Sequence, residues 1–235
     1  MPLIRSVTFT ILLNLWGAII PIIYSPVFFT RNANLADRGA KAWSIGAIWL
    51  LKVLCGIDYE IRGREKLPKG ACIIACKHQS AWETIVMHLV LNHPVYAYKK
   101  ELEKIPFYGW YLKVMSGIKI NRKGGASALK DLIKQAKKYL AKGQKIVLFP
   151  QGTRVPTNGS VEKYPYQAGV TALYLSCGVA VVPAALNSGK FWPKSGVKKS
   201  GKIILEFLEP IEPGLSKQEF SQRLEQAIEA KSNQL

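Results

Sequence analysis

The chain has 235 residues, with 33 Lys plus Arg against 15 Asp plus Glu and a formal charge of +18. That length gives one domain or little more and a sizeable core, while 49% hydrophobic and 10% aromatic content excludes a disordered basic tail. Such a charge predicts an anionic partner: nucleic acid, an anionic membrane surface or a phosphorylated substrate.

Residues 6–30, SVTFTILLNLWGAIIPIIYSPVFFT, carry no charge and lie between Arg5 and Arg31. About 20 apolar residues cross a bilayer, and the stretch fits a signal peptide poorly, since its apolar part is long and no small-residue cleavage site closes it. Pro21 and Pro26 predict a bend, because each removes a backbone donor. A polar link holding Arg31, Asp37, Arg38 and Lys41 precedes a second apolar stretch, 42–51. Two geometries follow: a kinked spanning helix followed by an interfacial one, or a hairpin dipping into one leaflet. Trp16, Trp43 and Trp49 suit the headgroup level in both, and the basic residues from Arg31 onward predict a cytoplasmic face. Residues 1–55 are thus read as an N-terminal membrane-anchoring segment, set apart from a second unit at 56–235.

Beyond Gly56 short apolar runs alternate with helical stretches. Strands are predicted at 57–63, 71–76, 94–98, 118–121, 145–149, 179–186 and 202–208. Helices are predicted at 80–92, 106–117, 127–141, 167–176 and 217–231. This alternation predicts an α/β fold, a layered mixed sheet flanked by helices, preceded by the N-terminal membrane helix or helical hairpin. Cys55, Cys72, Cys76 and Cys177 form no CxxC pair. With zinc-ligand spacing absent, they read as buried free thiols and no metal site is expected.

In such folds ligands sit where strand ends meet helix starts, and three of these junctions carry chemistry. KHQSAWET follows the strand at 71–76 and holds His78 with Glu83 five residues on. A carboxylate that fixes a histidine tautomer makes it a general base. The same residues also spell a capping box, Ser80 on the helix start and Glu83 reaching back to its amide. FPQGTR (149–154) brings Gly152, Thr153 and Arg154 to a strand end, a backbone turn and a guanidinium suited to phosphate or carboxylate. Arg122, in GIKINR, is a second strand-end arginine beside Lys119 and Lys123. Residues 98–154 hold fourteen basic against three acidic side chains, and 190–202 add five lysines with no acid. His88 and His93 read as ordinary histidines at a helix end.

KHQSAWET, YKKELEKIPFYGW with GIKINR, FPQGTR and VVPAAL, in this order, resemble the four motifs of the glycerolipid acyltransferases. The resemblance is strongest to the bacterial 1-acyl-glycerol-3-phosphate (lysophosphatidate) acyltransferases and covers about residues 70–191. It implies an acyltransferase domain at 56–235 on the cytoplasmic face of the inner membrane. The implied reaction moves a fatty acyl group from acyl-CoA or acyl carrier protein to the hydroxyl of a lysophospholipid, giving phosphatidic acid from 1-acyl-glycerol-3-phosphate. No metal or tightly bound cofactor is implied.

Position by position, the resemblance makes His78 the base and Glu83 its orienting acid. Arg122, Gly152, Thr153 and Arg154 match the phosphate-binding motifs, and Lys100, Gln151 and Pro183 fall within motifs without an assigned role. Val182–Pro183 would wall the acyl path. Three departures stand out: Glu83 replaces the usual Asp, Gln151 the usual Glu of FPEGTR, and Gln167 an expected Lys. The last two are read either as a compensated loss of opposite charges or as altered substrate preference. Two rivals stay open: the same chemistry on another lysolipid acceptor, and a non-catalytic basic protein tethering nucleic acid or anionic lipid to the membrane. The strand-end arginines and the missing base-reading motifs weigh against nucleic acid as a partner.

Overall fold

The structure, a computed structural model, describes residues 1–30, 32–104, 108–115, 117–120 and 125–235. Three helices come first: α1 (Pro2–Ile23), α2 (Pro26–Thr30) and α3 (Ala33–Cys55). α1 runs through Pro21 to Ile23. In the last turn a proline removes a single ladder bond, and the Tyr24 amide still closes on the Ile20 carbonyl at 2.9 Å. The expected polar link is helical from Ala33, because the Asn32 side chain caps α3 by accepting from the Asn34 and Leu35 amides. Asp37 and Lys41 then pair across one turn at 2.8 Å. Gly56, left-handed at φ +64°, ends α3.

The rest is a seven-stranded sheet with helices on both faces. Its strands are β1 (Ile57–Arg62), β2 (Cys72–Cys76), β3 (Val95–Lys99), β4 (Gly117–Ile120), β5 (Lys145–Leu148), β6 (Val181–Leu186) and β7 (Gly201–Phe207), in the order β1-β7-β6-β2-β5-β3-β4. Only the β6–β7 pairing is antiparallel among them. The helices are α4 (Trp82–Val90), α5 (Tyr108–Val114), α6 (Gly125–Leu140), α7 (Ala168–Cys177), α8 (Ser188–Phe191) and α9 (Lys217–Gln234). The mixed α/β architecture is therefore the one the alternating runs predict. The short α2 and α8 were not legible in the pattern.

β2 explains the two-sided core. All five of its residues are buried, and the period-2 alternation sends Cys72, Ile74 and Cys76 to one face and Ile73 and Ala75 to the other. The first face packs on α3 and α4 through Leu51, Trp82 and Val86. The second packs on α6, α7 and α9 through Leu132, Leu173 and Phe220. Cys55, Cys72 and Cys76 are buried free thiols, and Cys177 is free and half-buried.

This topology positions the site. β5 and β6 flank β2 and both run parallel to it, so the loops after Cys76, Leu148 and Leu186 leave the same edge of the sheet. The chemically loaded stretches KHQS and FPQGTR thus emerge side by side, and with them the polar stretch Asn187–Ser188–Gly189.

α1 packs against α3, tied by the Trp16 indole N–H donating to the Trp43 carbonyl at 3.0 Å. Its inner stripe buries Phe9 and Ile20, whereas Ile4, Val7, Ile11, Leu15 and Ile22 are exposed. α3 adds exposed Ile45, Trp49 and Val53 at helical spacing. α1 is long and apolar enough to cross a membrane by length and composition.

Candidate active site

His78 sits two residues beyond β2, and its ring stacks on Phe149, the residue after β5, with centroids 4.1 Å apart. Its Nδ1 lies 2.8 Å from Glu83 Oε1. The Glu83 side chain is fully buried, and its oxygens are fully engaged. Oε1 also accepts from the backbone amides of Gln79 and Ser80, each at 2.7 Å, and Oε2 accepts from the Ser188 hydroxyl at 2.8 Å. Such a carboxylate has its tautomer-fixing geometry locked before any substrate arrives.

Only part of the expected capping box forms: α4 has Ala81, not Ser80, as its N-cap, with no side-chain cap bond. The carboxylate still reaches back to the Ser80 amide, and the same oxygen lies at His78 Nδ1. The cap is modified on the other side, since the Ser80 hydroxyl accepts from the Trp82 amide at 3.1 Å. Glu83 engages the ring through Nδ1, a placement that favours the Nδ1–H tautomer of a neutral imidazole.

The second loop is stitched to the first. The Val155 amide donates to the His78 carbonyl at 2.7 Å, and the Gly152 amide to the Phe149 carbonyl at 2.9 Å. Gly152 holds φ +66°, a left-handed turn that favours glycine. Gly152, Thr153 and Arg154 all line one cavity with His78. Arg154 makes no ion pair among the described residues.

Gln151 points elsewhere. It is buried and its side-chain amide donates to the Tyr164 carbonyl at 2.9 Å. Gln167 lines the cavity, its backbone amide on the Pro150 carbonyl at 2.8 Å and its side-chain amide on the Pro165 carbonyl at 2.9 Å. The two glutamines thus do not replace a lost ion pair with a mutual bond. Each fastens the 164–167 segment.

The cavity holds about 1120 Å³. It is lined by Leu13, Gly17 and Ile20 of α1, Trp43 of α3, His78 and Arg154, among others. Its lining joins apolar residues of α1 and α3 to the cations Lys99, Arg154 and Lys194. Volume and lining suit a long apolar chain ending in an anionic head.

Several expected residues fall otherwise. Arg122 lies outside the described residues. Lys100 is exposed and does not line the cavity, whereas its neighbour Lys99, the last residue of β3, does. Pro183 and Val182 are buried in β6, and neither lines the cavity. β6 is an inner strand with both faces covered, so its apolar residues serve the core, not an acyl path. His88, read as ordinary, lines the cavity beside Tyr96, and burial pushes its pKa down to about 4. His93 is not buried and faces Asp37 at 3.5 Å.

Two further groups escaped sequence reasoning. One is the Asn187–Ser188–Gly189 clamp: beyond the Ser188 bond, the Gly189 amide donates to Gln79 Oε1 at 3.0 Å. A Cβ on Gly189 would meet the Gln79 and Thr157 side chains at 3.0 Å, so glycine permits the close packing. The other is Lys77, buried next to His78, with Nζ 2.6 and 2.7 Å from the Glu229 oxygens of α9. Tyr166 donates to the same carboxylate at 2.9 Å. A polar pair directly after the apolar strand VVPAAL was the one available signal for the clamp. Nothing in the local pattern links Lys77 to Glu229.

The acyltransferase family model matches residues 58–187. A 1-acyl-sn-glycerol-3-phosphate acyltransferase of Pseudomonas aeruginosa is 38% identical over 200 residues, covering 83% of this chain and 76% of its own length. The chain belongs to the acyltransferase family. The enzyme of the same name from Borreliella burgdorferi is 30% identical over 161 residues, 67% of this chain and 63% of that one. The crystal structure of the 1-acyl-sn-glycerophosphate (LPA) acyltransferase of Thermotoga maritima matches with a TM-score of 0.79. It covers 100% of this chain and 97% of its own, at 22% identity, and so speaks to the fold. The matched family segment runs from Asp58 to Asn187, so it contains both the His78 loop and the FPQGTR loop that line the cavity. Among the described residues no group of three His, Cys, Asp or Glu side chains is arranged to hold a metal ion.

Proposed function

We propose that this acyltransferase converts 1-acyl-glycerol-3-phosphate to phosphatidic acid, taking the acyl group from a thioester of CoA or acyl carrier protein. The observation that carries the proposal is the His78–Glu83 pair at 2.8 Å, its carboxylate buried and its imidazole partly exposed, on a cavity that Arg154 and apolar residues of α1 also line. The Pseudomonas aeruginosa relative, with its 38% identity, supports the choice of acceptor.

The chemistry follows from the residues. The acceptor hydroxyl lies at His78 Nε2, which takes its proton as the oxygen attacks the thioester carbonyl. Glu83 holds the ring through Nδ1–H and balances the imidazolium that forms. The tetrahedral intermediate then collapses, the C–S bond breaks, and the imidazolium returns the proton to the departing thiolate. Arg154, with the Gly152–Thr153 turn, holds the acceptor phosphate and sets its hydroxyl at the histidine. Arg122 is proposed as a second phosphate ligand on motif grounds.

Residues 1–55 anchor the protein, and 56–235 carry the reaction. The exposed stripe of α1 and α3 dips into one leaflet of the inner membrane from its cytoplasmic face, and the excess basic charge draws the chain to anionic lipid. A lipid acceptor then reaches the cavity from its α1 side without leaving the membrane.

The test is a purified-protein assay with both donor types and a panel of acceptors: 1-acyl-glycerol-3-phosphate, lysophosphatidylethanolamine and lysophosphatidylcholine. Fastest turnover on the first, with phosphatidic acid as product, is expected. Higher kcat/KM on a zwitterionic acceptor overturns the acceptor assignment, and no acyl transfer to any overturns the reaction.

A further inference from the structure

We infer that Lys194 is a second phosphate-binding residue of the cavity, one that holds the phosphate of the donor's pantetheine arm. The inference rests on the acyl-transfer reading above.

Three cations line the cavity among the described residues: Lys99, Arg154 and Lys194. Strand order sorts them. At the shared edge of the sheet the sequence is β6, β2, β5, β3. β2 leads to His78, β5 to Arg154 and β3 to Lys99, while β6 leads through α8 to Lys194. Neighbouring strands lie about 4.8 Å apart, so β2 with its histidine stands between the strand that feeds Arg154 and the one that feeds Lys194. The cavity is therefore lined by cations fed from the strands on both sides of β2.

The reaction brings two phosphorylated substrates to one histidine. In the acceptor only a few bonds separate hydroxyl and phosphate, whereas in the donor a whole pantetheine arm separates the thioester from its phosphate. Arg154 suits the short span: it is half-buried, and the next residue's amide is bonded to the His78 carbonyl. Lys194 suits the long one: it is exposed and lies six residues beyond Ser188.

The Lys194 loop is also built and not merely basic. Its start is fixed by the Trp192 amide on the Ser188 carbonyl at 2.8 Å, and its end by the Lys199 amide on the Phe191 carbonyl at 2.8 Å and the Lys198 amide on the Ser6 hydroxyl at 2.9 Å. Lys198 is spoken for, its ammonium over the Phe9 and Trp192 rings at 5.0 and 5.4 Å. Lys202 faces Glu60 at 3.6 Å. Lys194 has no carboxylate partner among the described residues, and 190–202 contain no acid to supply one.

A phosphate ester at this point occurs both in acyl carrier protein, as a phosphodiester, and in CoA, as part of a pyrophosphate. The experiment therefore measures Lys194→Ala and Lys194→Glu with acyl-CoA, with acyl carrier protein, and with an acyl-pantetheine that lacks the phosphate. For an exposed charge the donor KM should rise about two- to fivefold in Lys194→Ala, and further in Lys194→Glu. The acceptor KM should stay within twofold. On acyl-pantetheine, wild type and Lys194→Ala should coincide. A rise confined to acyl-CoA or to acyl carrier protein identifies which phosphate the residue meets, and both support the inference. A rise in acceptor KM instead, an equal loss on acyl-pantetheine, or an unchanged donor KM overturns it. Weaker binding of Lys194→Ala to phosphatidylglycerol vesicles as the sole effect also overturns it. Absence of turnover in the wild type would refute the acyl-transfer reading itself, a result distinct from all of these.

Discussion

Replacing Glu83 by glutamine and by alanine should separate two consequences of one side chain. Its carboxylate is fully buried and accepts from His78, from the Gln79 and Ser80 amides and from Ser188. Alanine strands two buried amides and a buried hydroxyl. At about 1–3 kcal/mol for each unsatisfied group, and with some relief from water, the loss is roughly 3–6 kcal/mol. That is a large part of the ~5–15 kcal/mol that holds a domain together. Glutamine keeps an oxygen for the two amides and offers its NH₂ to the Ser188 oxygen, so it should cost about 1–3 kcal/mol. It removes the charge that balances the imidazolium, and turnover should fall about 10²–10³-fold. Denaturant unfolding in detergent reads the first effect, and initial rates of phosphatidic acid formation read the second. An alanine variant as stable as wild type, or a glutamine variant of wild-type turnover, would refute the reasoning.

Burial holds the pKa of His88 near 4 against an ordinary 6.5. The unfolded chain therefore binds a proton that the fold excludes between those values, and stability should fall as pH drops through that window, by up to about 3 kcal/mol. His88→Phe should flatten this limb when unfolding is compared at about pH 7 and pH 4.5. Glu229→Ala leaves the buried Lys77 ammonium unpaired beside the site, and a loss of about 3 kcal/mol is expected in denaturant unfolding. Ile11→Lys with Leu15→Lys puts charge on the exposed stripe of α1 and should release the protein from vesicles in a flotation assay while leaving its circular dichroism unchanged.

Much of this was legible along the chain because local patterns decided it. The buried strand CIIAC and the turn FPQGTR announce themselves through apolar runs and glycine, and parallel pairing brings their ends together. His78 and Glu83 share one short loop and helix start, so their contact is nearly local. What was illegible depends on distant partners. Ser188 meets Glu83 across 105 residues, and Glu229 meets Lys77 across 152. Lys99, not Lys100, lines the cavity because the strand ends at Lys99 and the chain turns into a short 3₁₀ helix, a change of direction that charge patterning does not report. The helical character of residues 33–41 was hidden by their polarity, which reads as a link until Asn32 is recognised as a cap.

The account stands on His78 as the base. The most direct measurement is the rate of phosphatidic acid formation by purified His78→Ala, beside its circular dichroism and vesicle binding. The prediction is a loss of about 10²–10⁴-fold with fold and vesicle binding intact. Turnover within a few-fold of wild type would contradict it.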